Sequence, residues 1–92
     1  MNIYFVERTD EIGYDEFDSF VCVAHNEEEA SRIHPSYQNN DFYKNLILPI
    51  GVHNFHFPCW AKSNLTLKIT CIGKANNKYN KPEVICASFN AY

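Results

Sequence analysis

The stretch DSFVCVAHNEEEASRIHP, residues 18–35, decides the fold, because a strand pattern, a helix start and a helix stop follow one another within it. Residues 19–25 are apolar on both faces, which predicts a central strand covered on one side by a helix and on the other by a loop or a partner. Asn26 with Glu29 three residues later is a capping-box pattern. Pro35 is a stop signal, so we predict a helix over residues 27–34.

This helix is too short to be stable in water by itself. Residues 27–29 are glutamates, which the positive end of the helix dipole favours, whereas Arg32 and His34 would occupy the last turn, where positive charge is favoured. A helix of about eight residues needs tertiary contacts. We therefore expect Ala30 and Ile33 to dock on a sheet.

Three further segments have the pattern of strands. Residues 2–8 and 83–90 are rich in apolar and β-branched side chains, and residues 64–74 alternate, with Leu65, Leu67, Ile69 and Cys71 expected to face the core. Residues 74–82 are expected to form a hairpin in which Asn76 and Asn77 tolerate positive φ. The predicted fold class is α+β, a single four-stranded antiparallel sheet with one short helix packed on a face.

Residues 36–61 are irregular, since they show no sustained period and contain Pro49, Gly51 and Pro58. Within them, Asp41 could cap a second short helix over residues 42–48. The 92 residues suit one domain, spanning 1–92.

The chain lacks the pattern of a membrane span or a signal peptide, so we expect a cytoplasmic protein without membrane contact. In that setting the four cysteines are expected to be reduced core thiols. They are Cys22, Cys59, Cys71 and Cys86.

The charges are unevenly distributed along the sequence. Residues 1–30 hold nine acids and one base, and residues 31–92 hold two acids and seven bases, so the two segments carry formal charges of −8 and +5. Two interpretations remain open: separate acidic and basic surfaces, one of which would attract a polyanion, or charges that mix on folding.

No arrangement of residues indicates catalysis, and we expect a non-enzymatic protein without a cofactor. The carboxylates of Asp15, Glu16 and Asp18 lie in a polar loop that offers no desolvation to raise a pKa. His53, His56 and Cys59 have the types and spacing of zinc ligands, but a closed site needs a fourth ligand. The metal site is therefore a weak candidate, with aromatic and histidine packing as the alternative.

A basic segment is the stronger candidate for binding. Lysines that flank an aromatic ring suit a nucleic-acid backbone with one base stacked on the ring, whereas the alternative is a solvated turn. The candidate residues are Lys74, Lys78, Tyr79 and Lys81, with Lys62 and Lys68 expected near the same hairpin.

Three stretches resemble a group of small proteins of phage and prophage genomes: VERTDEIGYDEFDSFVCVAHNEEEAS (residues 6–31), IGKA (72–75) and ASFNA (87–91). Residues 36–58 depart from that pattern as an insertion. The resemblance implies a phage accessory protein without assigned chemistry. Anti-CRISPR inhibitors are one class of such proteins, and we expect an inhibitor of a type I-F CRISPR-Cas surveillance complex.

The resulting functional expectation is a monomeric, stoichiometric inhibitor that binds a host multisubunit protein or ribonucleoprotein complex in the host cytoplasm and blocks target DNA binding. Either the acidic face, Asp15, Glu16 and Asp18, imitates nucleic acid, or the basic segment contacts guide RNA or an acidic protein surface. Tyr43 and Trp60 would supply apolar anchors. A small zinc-binding or Cys/His-dependent protein is the alternative from another class.

Overall fold

The computed structural model describes residues 1–36, Leu48 and residues 59–90. Its elements follow the order β1 (Asn2–Arg8), β2 (Glu16–Ala24), α1 (Glu27–Ser31), a 3-10 helix (Asn64–Thr66), β3 (Leu67–Lys74) and β4 (Glu83–Asn90). The strands form one antiparallel sheet in the order β3-β1-β2-β4. The predicted α+β fold, a four-stranded antiparallel sheet with one short helix, is thereby confirmed.

The two N-terminal strands occupy the centre of the sheet. β1 and β2 pair as neighbours, with Tyr4 opposite Cys22 and Val6 opposite Phe20. Among the described residues, β3 pairs only with β1, and β4 pairs only with β2. The C-terminal strands are therefore the two edges of the sheet, which explains why they are far more exposed than the central pair.

The core lies between one face of the sheet and the chain that covers it. Tyr4, Val6, Phe20, Cys22 and Ala24 are buried on the sheet side. The covering residues are Ala30, Ile33, Leu48, Trp60 and Ala61, with Phe17, Leu67, Ile69 and Val84 half-buried against them. Fully burying one such aliphatic or aromatic side chain contributes roughly 1.5–3 kcal/mol, so this single cluster is the main source of stability.

Helix α1 starts where the sequence predicts and ends earlier. The Asn26 side chain accepts a hydrogen bond from the Glu29 backbone N–H at 2.8 Å, as a capping box requires, while the Glu29 carboxylate accepts the N–H of His25 at 2.8 Å. The predicted end at residue 34 is wrong. Arg32 is the C-cap, and its N–H bonds to the Glu29 carbonyl three residues back. The chain leaves the helix there because Ile33 and His34 are buried in the interior.

The connection from β3 to β4 is a crossing, not the predicted hairpin, because the two strands lie at opposite edges of the sheet. Residues 75–82, here called the crossing loop, pass the end of the sheet where β1 begins, and the Ala75 N–H donates to the Met1 carbonyl at 3.0 Å. The tolerance of Asn76 and Asn77 for positive φ is not used: among the described non-glycine residues, only Asp15 and Cys59 have positive φ.

The predicted buried face of β3 is only partly correct. Leu67 and Ile69 are half-buried against the core, but Leu65 is 77 % exposed in the 3-10 helix, and Cys71 is exposed. As an edge strand, β3 has a neighbour on one side only, so its second half extends beyond the cover of the core.

The insertion lies mostly outside the described residues. This applies to the second helix predicted over residues 42–48, of which only Leu48 is described. Leu48 is buried, its N–H donates to the Arg32 carbonyl at 2.8 Å, and its carbonyl accepts from the Arg32 guanidinium at 2.9 Å. Within the described ranges, no helix has the length and apolar character needed to cross a membrane.

Candidate functional site

The crossing loop brings together the strongest candidate residues from the sequence. A β-turn forms its tip: the Tyr79 N–H donates to the Asn76 carbonyl at 3.1 Å, and the Lys78 N–H donates to the Asn76 side chain at 3.0 Å. Asn is favoured at such positions because its short amide can bond to the backbone two residues on. The turn spans residues 76–79, and Lys81 follows two residues later, so Lys78, Tyr79 and Lys81 lie together at one end of the sheet.

The loop is positively charged and exposed. Lys74, Lys78 and Lys81 are all exposed, and none of the lysines in the described ranges is within ion-pair distance of a carboxylate. The Lys78 ammonium lies 5.1 Å from the centroid of the Tyr79 ring. This cation–π contact holds the two side chains against each other, and Tyr79 is half-buried.

Lys62 and Lys68 do not belong to this cluster, contrary to expectation. Lys68 lies opposite Glu7 near the end of β1, whereas Lys74 lies opposite Asn2 near its beginning. Six residues of extended strand separate these two lysines by about 20 Å. Lys62 precedes the 3-10 helix, which is bonded to Thr9 beyond the end of β1. These two lysines are therefore at the other end of the sheet.

Trp60 is a core residue and not an exposed anchor. It is buried, its ring meets Phe20 edge-on at a centroid distance of 5.2 Å, and the Arg8 guanidinium carbon lies 5.9 Å from its centroid. Its ring fills the core beside Phe20 and is unavailable to a partner. Tyr43, the other expected anchor, lies outside the described residues.

The acidic candidates lie in the connection between β1 and β2, which Arg8 organises. Arg8 Nε and Nη2 bond the two carboxylate oxygens of Asp10 at 2.7 and 3.0 Å. Nη1 donates to the Phe17 carbonyl at 3.2 Å, and Nη2 also donates to the Glu11 carbonyl at 2.9 Å. The Arg8 side chain is only 4 % exposed. The carboxylates here thus surround a buried cation, and part of their charge is neutralised.

Of the three acidic candidates, Glu16 is the most constrained. Its carboxylate accepts the Gly13 N–H at 2.7 Å and lies 3.6 Å from Arg8. A Cβ at residue 13 would lie 2.8 Å from that oxygen, so a larger residue there would displace the Glu16 carboxylate from the Gly13 N–H. Asp18 accepts from the Ser19 hydroxyl, and Asp15 is exposed with φ of 59°. Only Asp15 extends freely towards solvent.

The Arg8–Asp10 pair predicts a small dependence of stability on acid pH. Hydrogen bonding to Arg8 holds the pKa of Asp10 below its ordinary value of 3.8. A carboxyl whose pKa is lower in the folded state contributes stability that is present above pH 3.8 and is lost as pH falls through the folded-state pKa. Asp10→Asn should therefore lower the melting temperature at pH 7, and the difference from wild type should shrink below pH 3.8. Equal differences at pH 7 and pH 2.5 in thermal melts would contradict this.

The zinc hypothesis gains no support. His53 and His56 lie outside the described residues. Cys59, with φ of 72°, is half-buried, and its carbonyl accepts the Phe17 N–H at 2.7 Å. Within the described ranges, no three His, Cys, Asp or Glu side chains are grouped as metal ligands.

All four cysteines are free, as predicted, but two of them do not lie in the core. Cys22 is buried, and burial raises the pKa of its thiol to about 12, which leaves it unreactive at neutral pH. Cys71 and Cys86 are exposed on the two edge strands. The prediction of four core thiols is therefore wrong for these two, because strand-like sequence does not distinguish an edge from the centre.

Sequence reasoning missed the role of Arg8. The available signal was that Arg8 is the single base among the first 30 residues, which hold nine acids. The two ends of the sheet thus differ: one carries the β1–β2 connection that Arg8 organises, and the other carries the basic crossing loop.

Comparison of the chain with protein-family models, curated proteins and solved structures finds no match.

Proposed function

We propose that this protein is a stoichiometric binding protein whose crossing loop contacts the nucleic acid or an acidic surface of a host nucleoprotein complex. The observation that supports this most is the set of exposed lysines in and beside the crossing loop, Lys74, Lys78 and Lys81, none of which has a carboxylate of the described residues within ion-pair distance. The Lys78 ammonium lies 5.1 Å from the centroid of the Tyr79 ring. Three free ammonium groups on one loop attract phosphates, and an aromatic ring among them suits an unpaired base.

The resemblance to small phage proteins narrows the proposed partner. On that basis, the complex is a CRISPR-Cas surveillance complex of type I-F in the cytoplasm of the host, and the protein acts as an anti-CRISPR inhibitor. The crossing loop would contact the guide RNA or an acidic protein surface and block target hybridisation while the guide stays bound. No chemical step is needed, because an occupied target site is sufficient for inhibition.

The opposite version, in which the acids imitate nucleic acid, has less support. A nucleic-acid mimic needs exposed, unpaired carboxylates in a row. Asp10 is hydrogen-bonded to Arg8, and the Glu16 carboxylate lies 3.6 Å from the same guanidinium. Glu28 is paired with Arg32 at 2.9 Å. Glu29 accepts two hydrogen bonds from His25. Four of the nine carboxylates of the first 30 residues are therefore already engaged by Arg8, Arg32 or His25, which weakens the decoy version.

The experiment uses capture of the partner from the host followed by charge reversal. Lys78→Glu with Lys81→Glu should abolish capture and restore target DNA binding by the purified complex. The matched control is Lys62→Glu with Lys68→Glu, the same charge change at the other end of the sheet, which should have little effect. Phosphate contacts by about three lysines predict a log–log salt slope of roughly −2 on single-stranded nucleic acid.

A third variant separates the two versions. Asp15→Lys with Asp18→Lys reverses acidic charge but leaves Glu16, which supports the turn at Gly13, in place. If only this variant loses the partner, the decoy version is correct. If the Lys78 and Lys81 variant binds as tightly as wild type, the crossing loop is not the contact surface, and the proposal fails.

A further inference from the structure

The tip of the crossing loop is a β-turn that one side chain braces. The Tyr79 N–H donates to the Asn76 carbonyl at 3.1 Å, which closes the turn, and the Asn76 side-chain oxygen accepts the Lys78 N–H at 3.0 Å. Neither central residue of the turn has positive φ. These are the features of a type I turn with asparagine at its first position, where the short amide is favoured for this bond. Asn76 therefore fixes the backbone that carries Lys78 and Tyr79.

The other asparagines of the crossing loop do not have this role. Asn77 and Asn80 are exposed, as is Asn76. Within the part of the chain that the structure describes, the Asn76 side chain is the one in the loop that makes a hydrogen bond, and those of Asn77 and Asn80 make none. The three asparagines thus differ in one respect, which is the bond from Asn76 to the backbone.

The two ends of the crossing loop are held separately from its tip. The Ala75 N–H donates to the Met1 carbonyl at 3.0 Å, which ties the start of the loop to the beginning of β1. At the other end Pro82 is half-buried, and its ring restricts the preceding residue, Lys81, to extended backbone. Between these two anchors, the turn at Asn76 is what limits the conformations of residues 77–80.

A fixed shape matters for a loop that binds through a few charges. A loop that becomes ordered on binding loses conformational freedom, and this loss weakens its affinity. A loop that already has its bound shape avoids the loss. The turn also holds the Lys78 ammonium 5.1 Å from the centroid of the Tyr79 ring, so the direction of this charge is set together with the backbone.

The chemistry of the lysines favours phosphates over carboxylates as the ligand. An exposed pair of a lysine and a carboxylate contributes little, so three such pairs with an acidic protein surface would bind weakly. A nucleic acid releases condensed counterions at each phosphate that a lysine neutralises, and the same three charges are then more effective. The three are Lys74, Lys78 and Lys81, which have no carboxylate of the described residues within ion-pair distance.

We propose that Asn76 is a positioning residue, which holds the crossing loop in the shape that binds the phosphate backbone of a nucleic acid. This proposal rests on the proposed function, because it takes the crossing loop as the contact surface. It assigns to Asn76 an effect on affinity that needs no contact between Asn76 and the ligand.

The test measures binding of a labelled single-stranded RNA of about twelve nucleotides, a length within the site sizes of single-strand binding proteins. Asn76→Ala should weaken binding roughly two- to tenfold, the effect of one hydrogen bond. Asn77→Ala is the matched control, since it removes the same amide one residue further on, and it should bind like wild type. Asn76→Ser keeps a neutral oxygen that accepts the Lys78 N–H more weakly, and it should recover part of the loss.

Salt dependence separates positioning from charge. Asn76→Ala keeps all three lysines, so the slope of log affinity against log salt should equal that of wild type, at lower affinity. Lys78→Ala removes one phosphate contact and should make the slope shallower by about 0.7. Amide exchange at Tyr79 should quicken in Asn76→Ala and stay unchanged in Asn77→Ala.

The outcomes distinguish this proposal from the proposed function. If Lys78→Ala weakens binding and Asn76→Ala does not, or if Asn77→Ala loses as much affinity as Asn76→Ala, then Asn76 does not position the loop. If the variant with Lys78→Ala and Lys81→Ala binds the RNA like wild type, both the proposed function and the role of Asn76 fail. Absence of RNA binding by the wild-type protein at low salt, or preferential binding of poly-glutamate, would overturn the assignment to phosphate.

Discussion

Ile33→Asp is expected to leave the protein unfolded at 25 °C. Ile33 has no exposed surface and lies in the core cluster with Phe20 and Trp60. The substitution removes a large apolar side chain and puts a carboxylate into an apolar cluster, whose neighbouring cation, Arg8, is already bound to Asp10. The loss should exceed about 4 kcal/mol, which is most of the roughly 5 kcal/mol at the lower end of the range for a domain of this size.

Leu65→Asp is the matched control, since it makes a similar chemical change at a side chain that is 77 % exposed. We expect it to shift the free energy of unfolding by less than about 0.5 kcal/mol. Far-UV circular dichroism and the dispersion of amide NMR signals distinguish the two variants. A dispersed, native-like spectrum for Ile33→Asp would show that Ile33 does not hold α1 on the sheet.

The sequence predicts the elements well where local signals agree. The capping box at Asn26 locates the start of α1 correctly, and apolar alternation finds all four strands. The central position of β2 also follows from its apolar character on both faces. These features depend on neighbours in sequence, which is why local patterns are sufficient to predict them.

The order of the strands could not be predicted, and several errors follow from it. Two strands joined by a short polar loop suggest a hairpin, but β3 and β4 pair with β1 and β2 instead. The hairpin and the core position of Cys71 both assumed the wrong neighbours. The end of α1 was missed for a related reason: burial of Ile33 and His34, a tertiary effect, takes the chain out of the helix before Pro35.

Lys74, Lys78, Tyr79 and Lys81 lie at one end of the sheet because they are close in the chain, and their role as a contact site stays a prediction. The sequence wrongly added Lys62 and Lys68, which extended strand carries to the other end of the sheet, and it gave Trp60 an exposed role that its buried ring rules out. Whether acidic and basic residues form separate surfaces depends on which ends of the strands lie together. The periodicity of apolar residues along the sequence does not contain that information.

The second large effect is expected at Arg8. Arg8→Met keeps an unbranched apolar stem beside Trp60 but removes the bidentate pair with Asp10 and the donors to the Phe17 and Glu11 carbonyls. Hydrogen bonds to charged groups contribute about 1.5–3 kcal/mol each, and part of this is recovered because Asp10 is partly exposed and can be hydrated. We expect a loss of about 2–3 kcal/mol in urea unfolding, with faster amide exchange at Gly13 and Asp15.

Arg8→Lys tests whether charge or geometry is responsible. Lysine retains the positive charge, but a single ammonium cannot bond both oxygens of Asp10 and the two carbonyls in the fixed fork that guanidinium provides. It should therefore lose most of the stability that Arg8→Met loses, and exchange at Gly13 should quicken in both variants. Full stability in Arg8→Lys would mean that charge alone holds the loop. Full stability in Arg8→Met would mean that the loop between β1 and β2 is held without Arg8, by the Glu16 bond to Gly13 and by the pairing of Asp15 with Asn90.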